Sequence, residues 1–151
     1  MKKIIYIVIA LFVLNNCGYT PIHSSINNNL YIDISQKNKN KLNSKVENSF
    51  KKFSNQNTEN IIQLEISSNK KINIISKDKK GDPSRFSMTI LLTINILNKN
   101  NYEINKTKIY TENFDYNNNS NKFSLKQYEK DIENNLINKV VDRSIAYLSE
   151  L

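Results

Sequence analysis

At 151 residues, 38% hydrophobic and with a mean hydropathy of −0.57, the chain holds material for one modest domain. A single cysteine excludes metal cages built on thiolates, and two glycines in the whole chain leave no phosphate-cradling loop. The formal charge of +8 calls for an anionic counterpart, although the abundance of Asn and Lys reads mainly as the mark of an AT-rich genome.

The chain opens on Lys2 and Lys3, runs through an uncharged apolar stretch from Ile4 to Leu14, and closes it with Asn15-Asn16-Cys17-Gly18. Spanning a bilayer takes roughly 20 apolar residues, so this stretch has the proportions of a signal-peptide hydrophobic region. A cysteine directly behind it resembles a bacterial lipoprotein signal, in which the thiol takes a diacylglycerol and a peptidase then cuts before it. Leu14 suits the position three before the cysteine; Asn16 departs from the small residue preferred immediately before it. The expectation is a signal peptide over 1–16, an acylated Cys17 bearing diacylglycerol and an N-acyl chain, a tether over 17–29 and a folded domain over 30–151. Acylation also explains an odd thiol in an exported chain. Losing Lys2 and Lys3, the only charges in the first 16 residues, lowers the net charge from +8 to +6. An exported lipoprotein meets no nucleic acid, so a polyanionic lipid or glycolipid is the natural counter-charge.

After a linker containing Pro21, Leu30 to Ile34 alternates as a short strand and Ser35 to Asn40 turns. Leu42, Val46, Phe50 and Phe53 fall on one face of a helix from about Lys39 to Phe53, with Lys41, Lys45, Lys51 and Lys52 on a solvated opposite face. Ile62, Leu64 and Ile66 keep strict period two, a half-buried strand that Ile72 and Ile74 continue past a break at Asn69-Lys70-Lys71. Lys77 to Pro83 is a charged hairpin tip. The longest strand follows, Arg85 to Leu97, with Phe86, Met88, Ile90, Leu92, Ile94 and Ile96 on one face. Asn98 to Asn101 turns it tightly into an antiparallel strand from Tyr102 to Phe114.

Asp115 to Asn121 reads as a loop, and a capping box of Ser124 and Gln127 opens a long amphipathic helix carrying Leu125, Tyr128, Ile132, Leu136, Val140 and Tyr147. The order β-α-β-β-β-α, with one apolar face on each helix, predicts an α+β two-layer sandwich: a four-stranded sheet with both helices on one face.

Taken together, Cys17-Gly18-Tyr19-Thr20-Pro21, Arg85 to Ile90, Lys108 to Phe114 and the terminal helix from Lys126 to Leu148 with Asp142-Arg143 resemble the lipopolysaccharide-assembly lipoprotein LptE family. The resemblance spans the mature chain and rests on element order, spacing and the Cys-Gly-Tyr start. It implies a lipid-anchored protein on the periplasmic side of the outer membrane. Such a protein plugs an LptD-type β-barrel, assists its folding and takes part in delivering lipopolysaccharide to the outer leaflet. Gly18 fits outer-membrane sorting. By position, the family's lipopolysaccharide-binding residues map to Lys77, Lys79 or Lys80 in the hairpin and to Lys122 or Lys126 before and within the last helix. Solubilising lysines are the plainer reading of the same positions.

The residues give no independent support for catalysis. His23 lies in the linker, and the acidic residues are scattered without a histidine–carboxylate or Ser–His–acid arrangement. No cofactor or metal is expected. Two alternatives stand beside the family reading: an auxiliary lipoprotein of an envelope transporter, and a membrane-tethered periplasmic binding module of unrelated role.

Overall fold

The computed structural model describes residues 30–151, and the expected signal peptide, tether and Cys17 lie outside them. The described chain forms β1 (Tyr31–Gln36), α1 (Lys41–Lys51), β2 (Ile61–Lys77), β3 (Pro83–Leu97), β4 (Ile104–Asn117) and α2 (Lys122–Leu148). This is the α+β order anticipated from the sequence. The strands make one sheet in the order β1-β2-β3-β4. β1 runs parallel to β2, which its long connection through α1 permits, and the other pairs are antiparallel hairpin neighbours.

Period two places Leu64 and Ile66 of β2 and Met88, Ile90, Leu92 and Ile94 of β3 on the same face, all fully buried. Val46 and Phe50 of α1 and Leu136, Val140 and Ile145 of α2 close over them. At 27 residues α2 is about 40 Å long, and 14-residue β4 spans about 46 Å, so one helix runs nearly the length of the strand it follows. The other sheet face is uncovered and carries mainly short polar side chains such as Ser67, Asn69, Thr93 and Thr107, with Leu91 and Ile109 among them.

Four local readings are corrected. β2 is unbroken through Asn69-Lys70-Lys71, because each of these residues pairs with β3 (Leu91, Ile90 and Thr89); the irregularities come only after Ile74. β4 continues to Asn117, since Asp115, Tyr116 and Asn117 pair with Ser87, Phe86 and Arg85, which turns Tyr116 into the core at 3% exposure. α2 begins before Ser124. Asn121 is its cap, and its Oδ1 accepts from the amides of Phe123 and Ser124 at 3.1 Å each. Finally, Lys45 is no solvated lysine, for it reaches Glu133 of α2 at 2.5 Å.

α1 follows the same capping chemistry, with Asn40 Oδ1 accepting from the amide of Asn43 at 2.7 Å. Asn43 is itself fully buried and spans two elements. Its Nδ2 donates to the Asn38 carbonyl, and its Oδ1 accepts from both the amide and the hydroxyl of Ser68 on β2. Both the nitrogen and the oxygen of this buried amide are hydrogen-bonded, which offsets its desolvation.

Candidate functional site: a cationic end of the sandwich

The β2–β3 hairpin tip is shaped by Asp78. Its carboxylate accepts from the amides of Lys80 (2.8 Å) and Asp82 (2.9 Å), and its own amide donates to the Asp82 carbonyl. Gly81, at φ +88°, takes the left-handed conformation that a side chain would strain. This turn chemistry occupies the Asp78 carboxylate, Asp82 contributes only its main chain, and the exposed Lys77, Lys79 and Lys80 have no ion-pair partner among the described residues.

The loop before α2 is fastened to the base of this hairpin. The Asn118 amide donates to the Ser84 carbonyl at 2.8 Å, and its side chain to the Pro83 carbonyl at 2.7 Å. Lys122 stands above, 3.4 Å from Asn118 Oδ1. An open cleft of about 800 Å³ lies below, lined among others by Arg85, Asp115, Asn118 and Tyr128. Arg85 and Asp115 approach only to 3.9 Å, both half exposed, so the guanidinium keeps donors for a ligand. The fold therefore brings Lys77, Lys79, Lys80 and Lys122 to one end of the sandwich, although 45 residues of chain separate the first from the last.

Lys126 belongs elsewhere. It lines a second cleft, of about 740 Å³, with Lys41 and Lys45 of α1, Lys70 of β2, and Phe123 and Lys130 of α2. Here the charge is partly spent. Glu133 holds Lys45 and Lys70, each at 2.5 Å, tying α1, β2 and α2 together. Burial is the largest influence on the Glu133 carboxyl and opposes its ionisation. The hydrogen bonds and charges of the two lysines outweigh it together, and the group titrates below the ordinary carboxylate range. Glu129 accepts from the Tyr116 hydroxyl at 2.7 Å, and burial together with that carboxylate pushes the phenol upward. Lys41, Lys126 and Lys130 are left exposed and without an acidic partner among the described residues.

Sequence reasoning missed Arg85, Lys41, Lys70 and Lys130 as members of these clusters. The signal for Lys70 was available: counting by two from buried Ile66 puts it on the helix-facing side of β2. Lys126 and Lys130, four apart, share a helix face for the same kind of reason. Chemically, both clusters present ammonium groups on long flexible stems, suited to phosphate and carboxylate oxygens, with apolar surface near them from Tyr128 in one and Phe123 in the other. Among the described residues no group of three His, Cys, Asp or Glu side chains could hold a metal, and no helix is long and apolar enough to cross a membrane.

No protein-family model and no curated protein sequence matches the chain. Solved structures do. The fold is that of the rare lipoprotein B from Shewanella oneidensis (TM-score 0.60, 9% identity, covering 80% of this chain and 94% of that one). A minor lipoprotein from Acinetobacter baumannii superimposes with a TM-score of 0.58 at 10% identity, over 80% of this chain and 90% of that one. Lipoprotein B from Nitrosomonas europaea gives 0.56 at 12% identity, over 79% and 81%. At these identities the likeness is one of fold.

Proposed function

We propose that the chain is an outer-membrane lipoprotein of LptE type, anchored on the periplasmic side through acylated Cys17, and that it does not catalyse a reaction. In this reading it plugs an LptD-type β-barrel, assists its assembly and takes part in passing lipopolysaccharide to the outer leaflet. The observation that carries the proposal is the conjunction of a lipoprotein-like start, Leu14 to Gly18, with a fold shared by three lipoproteins from separate bacteria. The cations Lys77, Lys79, Lys80 and Lys122, without ion pairs among the described residues and gathered at one end beside Arg85, supply a physical reason for an anionic lipid ligand: their exposed ammonium groups can reach lipid A phosphates without burying their stems. Lys126 would act from the neighbouring cleft.

The reading is tested by purifying the tagged protein from detergent-solubilised envelopes and analysing bait and co-eluting proteins by mass spectrometry. An N-terminus beginning at acylated Cys17, together with a large barrel of LptD type, is the expected result. Co-elution with an ATPase-linked inner-membrane complex would replace it by the transporter-auxiliary reading. An uncleaved, unacylated chain without a barrel would overturn both.

A further inference from the structure

β1 covers only part of β2. Their ladder ends at Gln36 opposite Ile66, while β2 continues to Lys77. At the point where β1 stops, the Ile66 carbonyl still accepts from the Lys37 amide at 3.0 Å, and the Ser68 amide is taken by Asn43 Oδ1 at 2.7 Å. Residues 66 and 68 thus turn their main-chain groups to the outer edge. Alternation along the strand does the same for Lys70, Ile72 and Ile74. These three have no main-chain partner on that side among the described residues. On the inner side β3 holds the segment straight through Ile74 opposite Phe86, and the irregularity after Ile74 ends the open stretch. The result is a preformed edge with Ile72, Ile74 and Ile75 42%, 51% and 45% exposed.

We propose that this edge, from Lys70 to Ile74, is a docking site for an extended segment of a partner protein with Asp or Glu at its flanks. An added strand would find aligned donors and acceptors for its main chain and isoleucines for its alternate side chains. Charge selects the partner. Lys71 precedes the isoleucines and Lys77, Lys79 and Lys80 follow them, all exposed and without ion pairs among the described residues. A second copy of this chain would bring the same lysines to the junction, where like charges oppose pairing. The open edge itself does not depend on the lipid-binding reading, although Lys77, Lys79 and Lys80 serve in both.

Amide hydrogen exchange of the full chain in mild detergent, read residue by residue by NMR, tests it with a ten-residue probe of alternating Val and Thr flanked by two Glu at each end. The probe should slow exchange of the Lys70, Ile72 and Ile74 amides at least tenfold, leaving Lys71 and Asn73, whose amides face β3, unchanged. A probe N-methylated at alternate residues, or flanked by Lys, should have no such effect. Ile72→Pro removes only an outward N–H, which an edge strand tolerates, and should abolish the response; Ile74→Thr keeps strand propensity and should weaken it. Absence of slowing at millimolar acidic probe, or equal slowing by the Lys-flanked probe, would overturn the proposal. Slowing that appears with rising protein concentration alone would assign the edge to a second copy instead.

Discussion

The two ends of the sandwich use the same cationic side chains in opposite ways. Toward the β3–β4 turn and the close of α2, Lys106, Lys108 and Arg143 are engaged, while Lys99 in the turn itself has no ion pair among the described residues. The Lys106 and Lys108 ammonium groups lie 5.1 and 4.8 Å from the Tyr147 ring centre, and Arg143 sits 5.8 Å over Tyr110 while reaching Glu112 at 2.5 Å. At the hairpin end, Lys77, Lys79 and Lys80 have no ion pair among the described residues, and of the two carboxylates within the tip Asp78 is committed to the turn. Net charge alone therefore says little about purpose. What distinguishes a structural cation from one available to a ligand is whether the fold has already given it a partner.

Variants can break or sharpen this contrast, and their expected effects on stability descend in a definite order. Ile94→Ala empties a fully buried position under both ends and should cost about 2–5 kcal/mol in urea unfolding, with both ends lost in one transition. Glu133→Gln removes the counter-charge of two partly covered lysines and should cost about 1–2 kcal/mol, between the values for exposed and buried pairs. Its pH signature is separate. Because the folded carboxyl titrates below its ordinary 4.5, its contribution is complete above about pH 5 and is lost as pH falls through 4.5 toward the lower folded value. The native protein should therefore lose stability over that interval more steeply than the glutamine variant.

Arg143→Ala should cost about 1 kcal/mol, through the ring contact and a half-exposed pair, and leave lipopolysaccharide binding unchanged. Replacing Lys77, Lys79, Lys80 and Lys122 together by Ala should shift stability by no more than about 0.5 kcal/mol. The same variant should lower lipopolysaccharide affinity at least tenfold in a direct binding assay. Equal affinity in the native and quadruple variants would remove the functional half of the contrast.

Much of the architecture was legible because two periods dominate it. Ile62-Leu64-Ile66 alternates strictly, the run from Met88 to Ile96 does so with Leu91 as its exception, and Val46, Phe50, Leu136 and Val140 repeat at helical spacing. The errors fell where local chemistry offers two answers. Asn121 and Ser124 are both competent caps three residues apart, and the choice went to the residue whose oxygen meets two amides. Lys70-Lys71 looked like a break because polar residues usually mark one, whereas pairing to β3 carries the strand through. The parallel approach of β1 was not readable, since a connection with a helix in it leaves strand direction open. As for the site, the hairpin lysines could be named from the chain, but their meeting with Lys122 depends on Asn118 pinning a later loop to Pro83 and Ser84. No spacing in the sequence encodes that contact.

The unequal lengths of β1 and β2 also make the domain a gauge of distance. The described chain enters the sheet at Tyr31 opposite Ile61, and β2 then travels 17 residues before reaching Lys77. At about 3.3 Å per residue the point of entry and the cationic tip stand roughly 50 Å apart. A bilayer with its headgroups measures about 40–45 Å. Whatever holds the chain at its entry side, the sheet carries the tip lysines away from that point by more than a membrane's thickness, on a rod whose stiffness comes from β3 and α2 lying alongside it.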